Sequence, residues 1–194
     1  MNVARVVEAS LRKFQCAYDG YVERPFPLGS LLAVREGEAH VFGVVAEVES
    51  GPDDPTRPLS PPADAGELTA EALLNERPHI RPLLRTRVTV VTCGFSEGEV
   101  IWPRLPPSPP PLLAMAGEAS ADETVRLVSD GRFLAALVAS AECDDAVIAA
   151  TIRRASIAFE MESRDFKIRA GKELARLLKA EPARLTSIIR GVAP

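Results

Sequence analysis

The apolar positions change their period along the chain. Over residues 1–50, and again over 85–102, they come in short β-branched and aromatic runs with polar turns between them. From about residue 120 onward they recur every three or four positions. The first pattern predicts strands and the second predicts amphipathic helices. Residues 3–10 (VARVVEAS) are apolar enough for a first strand. Residues 13–19 (KFQCAYD) alternate, with Phe14, Cys16 and Tyr18 on one face and Lys13 and Gln15 on the other, as in a strand covered on one side. Residues 30–36 and 39–49 flank a polar turn that contains Gly37, and they predict a hairpin. Gly43 interrupts its second strand, the sign of a bulge or sharp bend where a sheet curls. RTRVTVVTCGF (85–95) is the clearest strand, and EVIW (99–102) is placed to pair with it across SEG. Six short strands with hairpin connections predict a small antiparallel barrel, because closure removes exposed edges; an open sandwich is the other arrangement.

Residues 51–84 break this pattern. GPDDPTRPLSPP is turn chemistry, 65–76 (AGELTAEALLNE) predicts a short helix, and RPHIRPLL (77–84) predicts extended chain, since a proline disfavours helix in the residue before it. Residues 103–111 (PRLPPSPPP) are six prolines in nine, which predicts a stiff polyproline segment and a natural domain boundary. The same run can also serve as a ligand for a proline-binding partner. Beyond it, Ser120 and Glu123 form a capping-box pattern, and Asp130–Arg132 (DGR) separates the first two helical segments. Asp144 and Asp145 open a third, expected to reach about residue 161, where acids suit the positive end of the helix dipole. A fourth starts near Ser163. Pro182 suits the first turn of a last helix, closed by Gly191. The predicted fold class is α+β: a six-stranded antiparallel barrel over 1–102 with a long insertion at 51–84, a proline-rich linker at 103–111, and an all-helical region over 112–194.

With 194 residues, 46% of them apolar, the chain has the make-up of a globular protein able to bury a core. Its apolar runs are too short for a membrane span. Arg5 and Glu8 stand where a secretory apolar core would lie, so no signal peptide is expected. Cys16, Cys93 and Cys143 are widely spaced and odd in number, which points to reduced thiols and a cytoplasmic protein. The net charge of −4 is unevenly spread. Residues 1–150 hold 13 Lys and Arg against 22 Asp and Glu, giving −9, while residues 151–194 hold 10 against 5, giving +5. Such a division suits an anionic partner, self-association, or solvated helix faces.

Few residues point to catalysis. The chain has no HExxH, GxSxG or paired cysteine motif. His40 lies in the hairpin and His79 between prolines, and neither has an acid–base partner in sequence. The pairs Asp53–Asp54 and Asp144–Asp145 lack a neighbouring histidine; a metal enzyme or hydrolase built from such acids is a third possibility. AGKELARLL departs from a phosphate-binding loop, with Glu173 in place of the magnesium-binding hydroxyl and Phe166 in place of the earlier glycine. No cofactor, metal or small-molecule ligand is expected. The strongest cluster is Arg169, Lys172, Arg176 and Lys179, at offsets 0, 3, 7 and 10. At about 100° per residue these share one helix face, opposite Phe166, Ala170, Leu174, Leu177 and Leu178. That stripe can contact phosphates of a nucleic acid or an acidic protein, or simply face water.

The N-terminal part resembles the HAS-barrel, the small barrel named for the HerA-type DNA translocases and the ATP synthases. The resemblance rests on the opening VARVV strand, on PLGSLLAV (27–34) and on VFGVVAEV (41–48). It spans roughly residues 2–102. RAGKELARLLKAEPARLTSIIRG is similar to the tail of bacterial proteins that carry such a barrel without an ATPase. The resemblance implies a collar module that packs side by side in a ring and links a motor to partner subunits, with no catalytic residue to transfer. No phosphate-binding loop follows the barrel here. The implied function is non-catalytic protein association, with a translocase or ATPase assembly or with copies of itself. Nucleic-acid binding through the basic stripe is the alternative, and no membrane partner is expected.

Overall fold

The computed structural model describes residues 4–37, 39–60 and 66–192. Its strands are β1 (Ala4–Ala9), β2 (Lys13–Ala17), β3 (Leu31–Glu36), β4 (Ala39–Pro52), β5 (Leu84–Glu97), β6 (Val100–Trp102) and β7 (Met115–Glu118). They form one antiparallel sheet in the order β2-β1-β7-β3-β4-β5-β6, and β2 pairs again with β5. That second pairing closes β1, β2, β5, β4, β3 and β7 into a six-stranded barrel. β6 stays outside the ring. β5 is already flanked by β2 over Arg87–Val91 and by β4 along its length, so β6 pairs only at its far end, Phe95–Glu97. The sixth ring strand is instead β7, which follows the proline run and pairs with both β1 and β3.

Bulges set which side chains enter the barrel. In β4 the register shifts between Val45 and Glu47. Val45 faces the interior, strict alternation would turn Glu47 inward next, and the extra residue turns Val48 inward instead, one place later, so that Glu47 stays exposed. β1 does the same between Val6 and Glu8: Val6 and Ala9 pack inside while Glu8 points to solvent. Each bulge reverses the phase of the strand, and each keeps a carboxylate out of an apolar interior. Gly43 lies at a third shift, between Phe42 and Gly43. A Cβ there would sit 2.6 Å from Val90 Cγ1 and 2.9 Å from the Val91 carbonyl. Gly37 has a φ of 60° in the β3–β4 turn, as the hairpin requires.

Two cores result. One fills the barrel with Val6, Phe14, Cys16, Leu32, Val34 and Val90 among others. The other lies on the outer face of β3, β4 and β5, where Leu31, Ala33, Phe42, Val44, Val91 and Cys93 meet the helices. The continuous run Leu31–Val34 is apolar because both faces of β3 are buried. The helices are α1 (Ala70–Glu76), α2 (Ala121–Val128), α3 (Leu134–Val138), α4 (Asp145–Ala155), α5 (Ser163–Leu177) and α6 (Pro182–Val192). The helical region is therefore docked on the barrel wall.

Several local expectations change. The short helix expected over 65–76 begins only at Ala70, where Thr69 caps it by accepting from Ala72 N–H at 3.2 Å; residues 61–65 fall outside the described residues. Pro78–Leu83 forms a 3₁₀ helix rather than extended chain. Proline fixes φ near the 3₁₀ value and is tolerated in a first turn, and Ile80 N–H donates to the Arg77 carbonyl at 3.0 Å. The third helix ends at Ala155 and passes into a 3₁₀ segment, Ser156–Glu162, broken at Glu160 (φ 45°). Gly191 does not stop α6, which runs through it to Val192. Its role is contact, since a Cβ there would lie 2.8 Å from Ala149 Cβ on α4. The proline run is packed: Pro106 and Pro110 are buried. With Val34, Val41 and Phe95 the run encloses a cavity of about 280 Å³ at one end of the barrel.

Candidate docking surfaces

All four basic residues singled out by spacing are exposed, but only Arg169, Lys172 and Arg176 lie on α5; the helix ends at Leu177, and Lys179 falls in the turn beyond it. Their apolar counterparts Phe166, Ala170, Leu174 and Leu178 are fully buried, so the two faces of the helix are as expected. The cations differ in availability. Arg169 Nε donates to the Ser129 carbonyl at the end of α2 (3.2 Å), and its guanidinium lies 5.8 Å from the Phe159 ring centre. Arg176 grips both oxygens of Glu173 at 2.9 and 2.6 Å, and this pairing holds the Glu173 carboxyl below its usual range. Lys172 and Lys179 make no ion pair among the described residues. Gly171 and Lys172 sit in the interior of α5, a helical setting that offers no loop to wrap a phosphate.

The acids found by sequence have structural partners. Asp53 accepts from Arg85 at 2.5 and 3.2 Å and from Arg87 at 3.3 Å. The hydrogen bond from Arg85 holds its carboxyl below the usual range. Asp54 accepts from the Thr56 hydroxyl and backbone N–H. Asp144 caps α4 by accepting from Val147 N–H at 2.8 Å, and Asp145 pairs with Arg184 at 3.0 Å. His40 Nδ1 stands 3.6 Å from Glu123, which also takes Arg35 at 2.6 Å and Ser120 N–H at 2.7 Å. Burial pushes the Glu123 carboxyl up, but the Ser120 and Arg35 bonds outweigh it and leave it lowered. His79 lies exposed in the 3₁₀ helix Pro78–Leu83. The three cysteines are buried and unbridged. Among the described residues no group of three or more His, Cys, Asp or Glu is placed to hold a metal ion. No described helix is long and apolar enough to cross a membrane.

A surface absent from the sequence reading lies on the barrel wall away from the helices. The helices cover the outer faces of β3, β4 and β5. Along β1, the start of β7 and the turn before it, four apolar side chains are uncovered, with Arg5 and Glu8 exposed beside them: Val7 is 44% exposed, Met115 52%, Leu112 63% and Leu113 66%. These positions adjoin. Leu113 N–H donates to the Val6 carbonyl at 2.7 Å, Val6 N–H to the Ala114 carbonyl at 3.0 Å, and Met115 pairs in register with Arg5. Leu113 holds a φ of 66°, a conformation that costs a non-glycine residue energy. Arg5 steadies the turn by donating to the Leu113 carbonyl at 2.8 Å. β7 and the residue before it invert the usual arrangement, turning Ala114 and Ala116 into the barrel and Met115 outward. Only Met115 and Ala116 of that small-against-large alternation lie within the strand itself, too short a run to mark it in the sequence.

No protein-family model matches the chain, and no curated protein matches it.

Proposed function

We propose that this protein is a non-catalytic assembly module of the HAS-barrel kind, which docks through the wall formed by β7 and β1. The observation that carries this reading is the group Val7, Leu112, Leu113 and Met115, large and exposed on a stretch of barrel wall that the helices leave uncovered. Scattered surface leucines are ordinary, whereas contiguous apolar side chains on a rigid face mark an interaction site. A barrel offers such a face ready-made, since its backbone groups are already paired and only side chains meet the partner. The partner class that fits the sequence resemblance is a subunit of an ATPase or DNA-translocase assembly.

Replacing Leu113 and Met115 together by aspartate leaves the interior untouched and tests the wall directly. In affinity capture from the native host, the unaltered chain is expected to retain an ATPase or translocase subunit and the double variant to lose it. Equal recovery by both proteins removes the wall from the mechanism. Sustained turnover of a nucleotide or nucleic acid by the pure protein overturns the whole reading.

A further inference from the structure

A second surface carries charge as well as apolar area. Pro27 and Leu28, in the loop before β3, run beside α4 and the 3₁₀ segment Ser156–Glu162. Between them lies an open groove of about 420 Å³ lined by Pro27, Leu28, Ala150, Arg153, Arg154 and Ile157. Ile157 is 74% exposed at its rim. The two arginines are exposed and each is fixed by a backbone carbonyl: Arg154 Nε donates to Leu28 at 3.0 Å, and Arg153 donates to Gly191. Neither is in an ion pair among the described residues. The groove thus presents apolar side chains flanked by two guanidinium groups whose remaining donors point to solvent.

The complementary pattern occurs on the same chain. The stretch 47–76 holds eight acidic residues against one arginine, Arg57. Beyond the β4–β5 ribbon it leads to α1, which packs on the 3₁₀ helix Pro78–Leu83. At the start of α1, Leu68 is 42% exposed, and the exposed carboxylates Glu67 and Glu71 bracket it. One apolar side chain between two acids is the chemical complement of one apolar groove between two arginines.

We infer that a second copy of this chain occupies the groove, placing its Leu68 over Leu28 and Ile157 and its Glu67 and Glu71 on Arg153 and Arg154. This deepens the association reading above by naming the chain itself as a partner, and it uses different residues from the β7–β1 wall. Arm and groove are separate surfaces, so the contact is head-to-tail and repeats from copy to copy into a ring or a filament.

The test uses two full-length variants, R153E/R154E and E67R/E71R, with sedimentation at about 50 mM and about 500 mM salt, a range over which screening length shortens several-fold. The unaltered chain is expected to sediment as an oligomer whose association weakens at high salt. Each variant, folded by circular dichroism, is expected to bind its own kind about tenfold more weakly or worse. An equimolar mixture of the two is expected to regain the oligomer, because each reversed surface then meets its complement. A monomeric unaltered chain at low salt overturns the inference, and so does an oligomer indifferent to both variants. So does a mixture that fails to regain it, which also covers the case in which Arg153 matters only through its bond to Gly191. Loss of oligomer with wall-dependent capture intact would leave the β7–β1 reading standing.

Discussion

Cys16, Cys93 and Cys143 are small apolar side chains here, and their titration follows from that. Burial pushes the Cys16 and Cys143 thiols from their usual 9.0 up to about 12, and raises Cys93 in the same direction. The folded state favours the protonated thiol. Its contribution to stability is therefore complete below about pH 9 and lost as the pH rises toward 12. A thiol reagent at neutral pH is expected to label none of the three in the native protein and all three in denaturant. Melting temperature is expected to fall steadily above pH 9. Rapid native labelling of any one would contradict its placement. Of the three, only the burial of Cys16 was legible, from its alternation with Phe14 along one strand face; wide spacing spoke only to the absence of a bridge. So was the Ser120–Glu123 box, whose partners are three residues apart. The bond from Arg35 to the same carboxylate spans 88 positions, and nothing local announces it.

At the scale of elements, the strands were readable wherever one face is apolar and one polar. The bulges after Val6 and Val45 were not, because a phase shift depends on which neighbour the strand faces. Gly43 is the exception, since a glycine inside a strand is itself a signal. Gly43→Ala is expected to cost about 1–3 kcal/mol, as overpacking does in a filled core. The added methyl meets both a valine side chain and the backbone oxygen of Val91. The cost is read as a lower denaturation midpoint at unchanged slope. A neutral result would mean that β5 can retreat from β4 at this point. β7 escaped the sequence reading because its interior positions are alanines. A strand whose large side chains all point outward looks like a loop until its partners are known. The basic stripe on α5 was correctly placed on the outer face, yet periodicity cannot show that Arg169 and Arg176 already have partners within the protein.

For the whole molecule, the proline run looked like a place to cut, because its composition differs so sharply from either flank. The structure joins what that boundary separates. β7 lies between β1 and β3, and α3 and α4 pack on the outer face of β5 and β4, with α2 beside β6. A fragment ending at residue 111 is expected to lack a dispersed amide spectrum and a cooperative melt, since it leaves the ring open and its outer core bare. A fragment that folds would show that β7 is replaceable.

The position of β7 in the chain also orders events during synthesis. Until residue 118 leaves the ribosome, β1 and β3 stand as two unmatched borders with free amides and carbonyls, the state in which nascent chains pair with the wrong neighbour. More than a hundred residues separate β1 from the strand that covers it. The proline run laid across the barrel's end sits just upstream of that strand, and it limits how far the late-arriving segment can wander before it finds the gap.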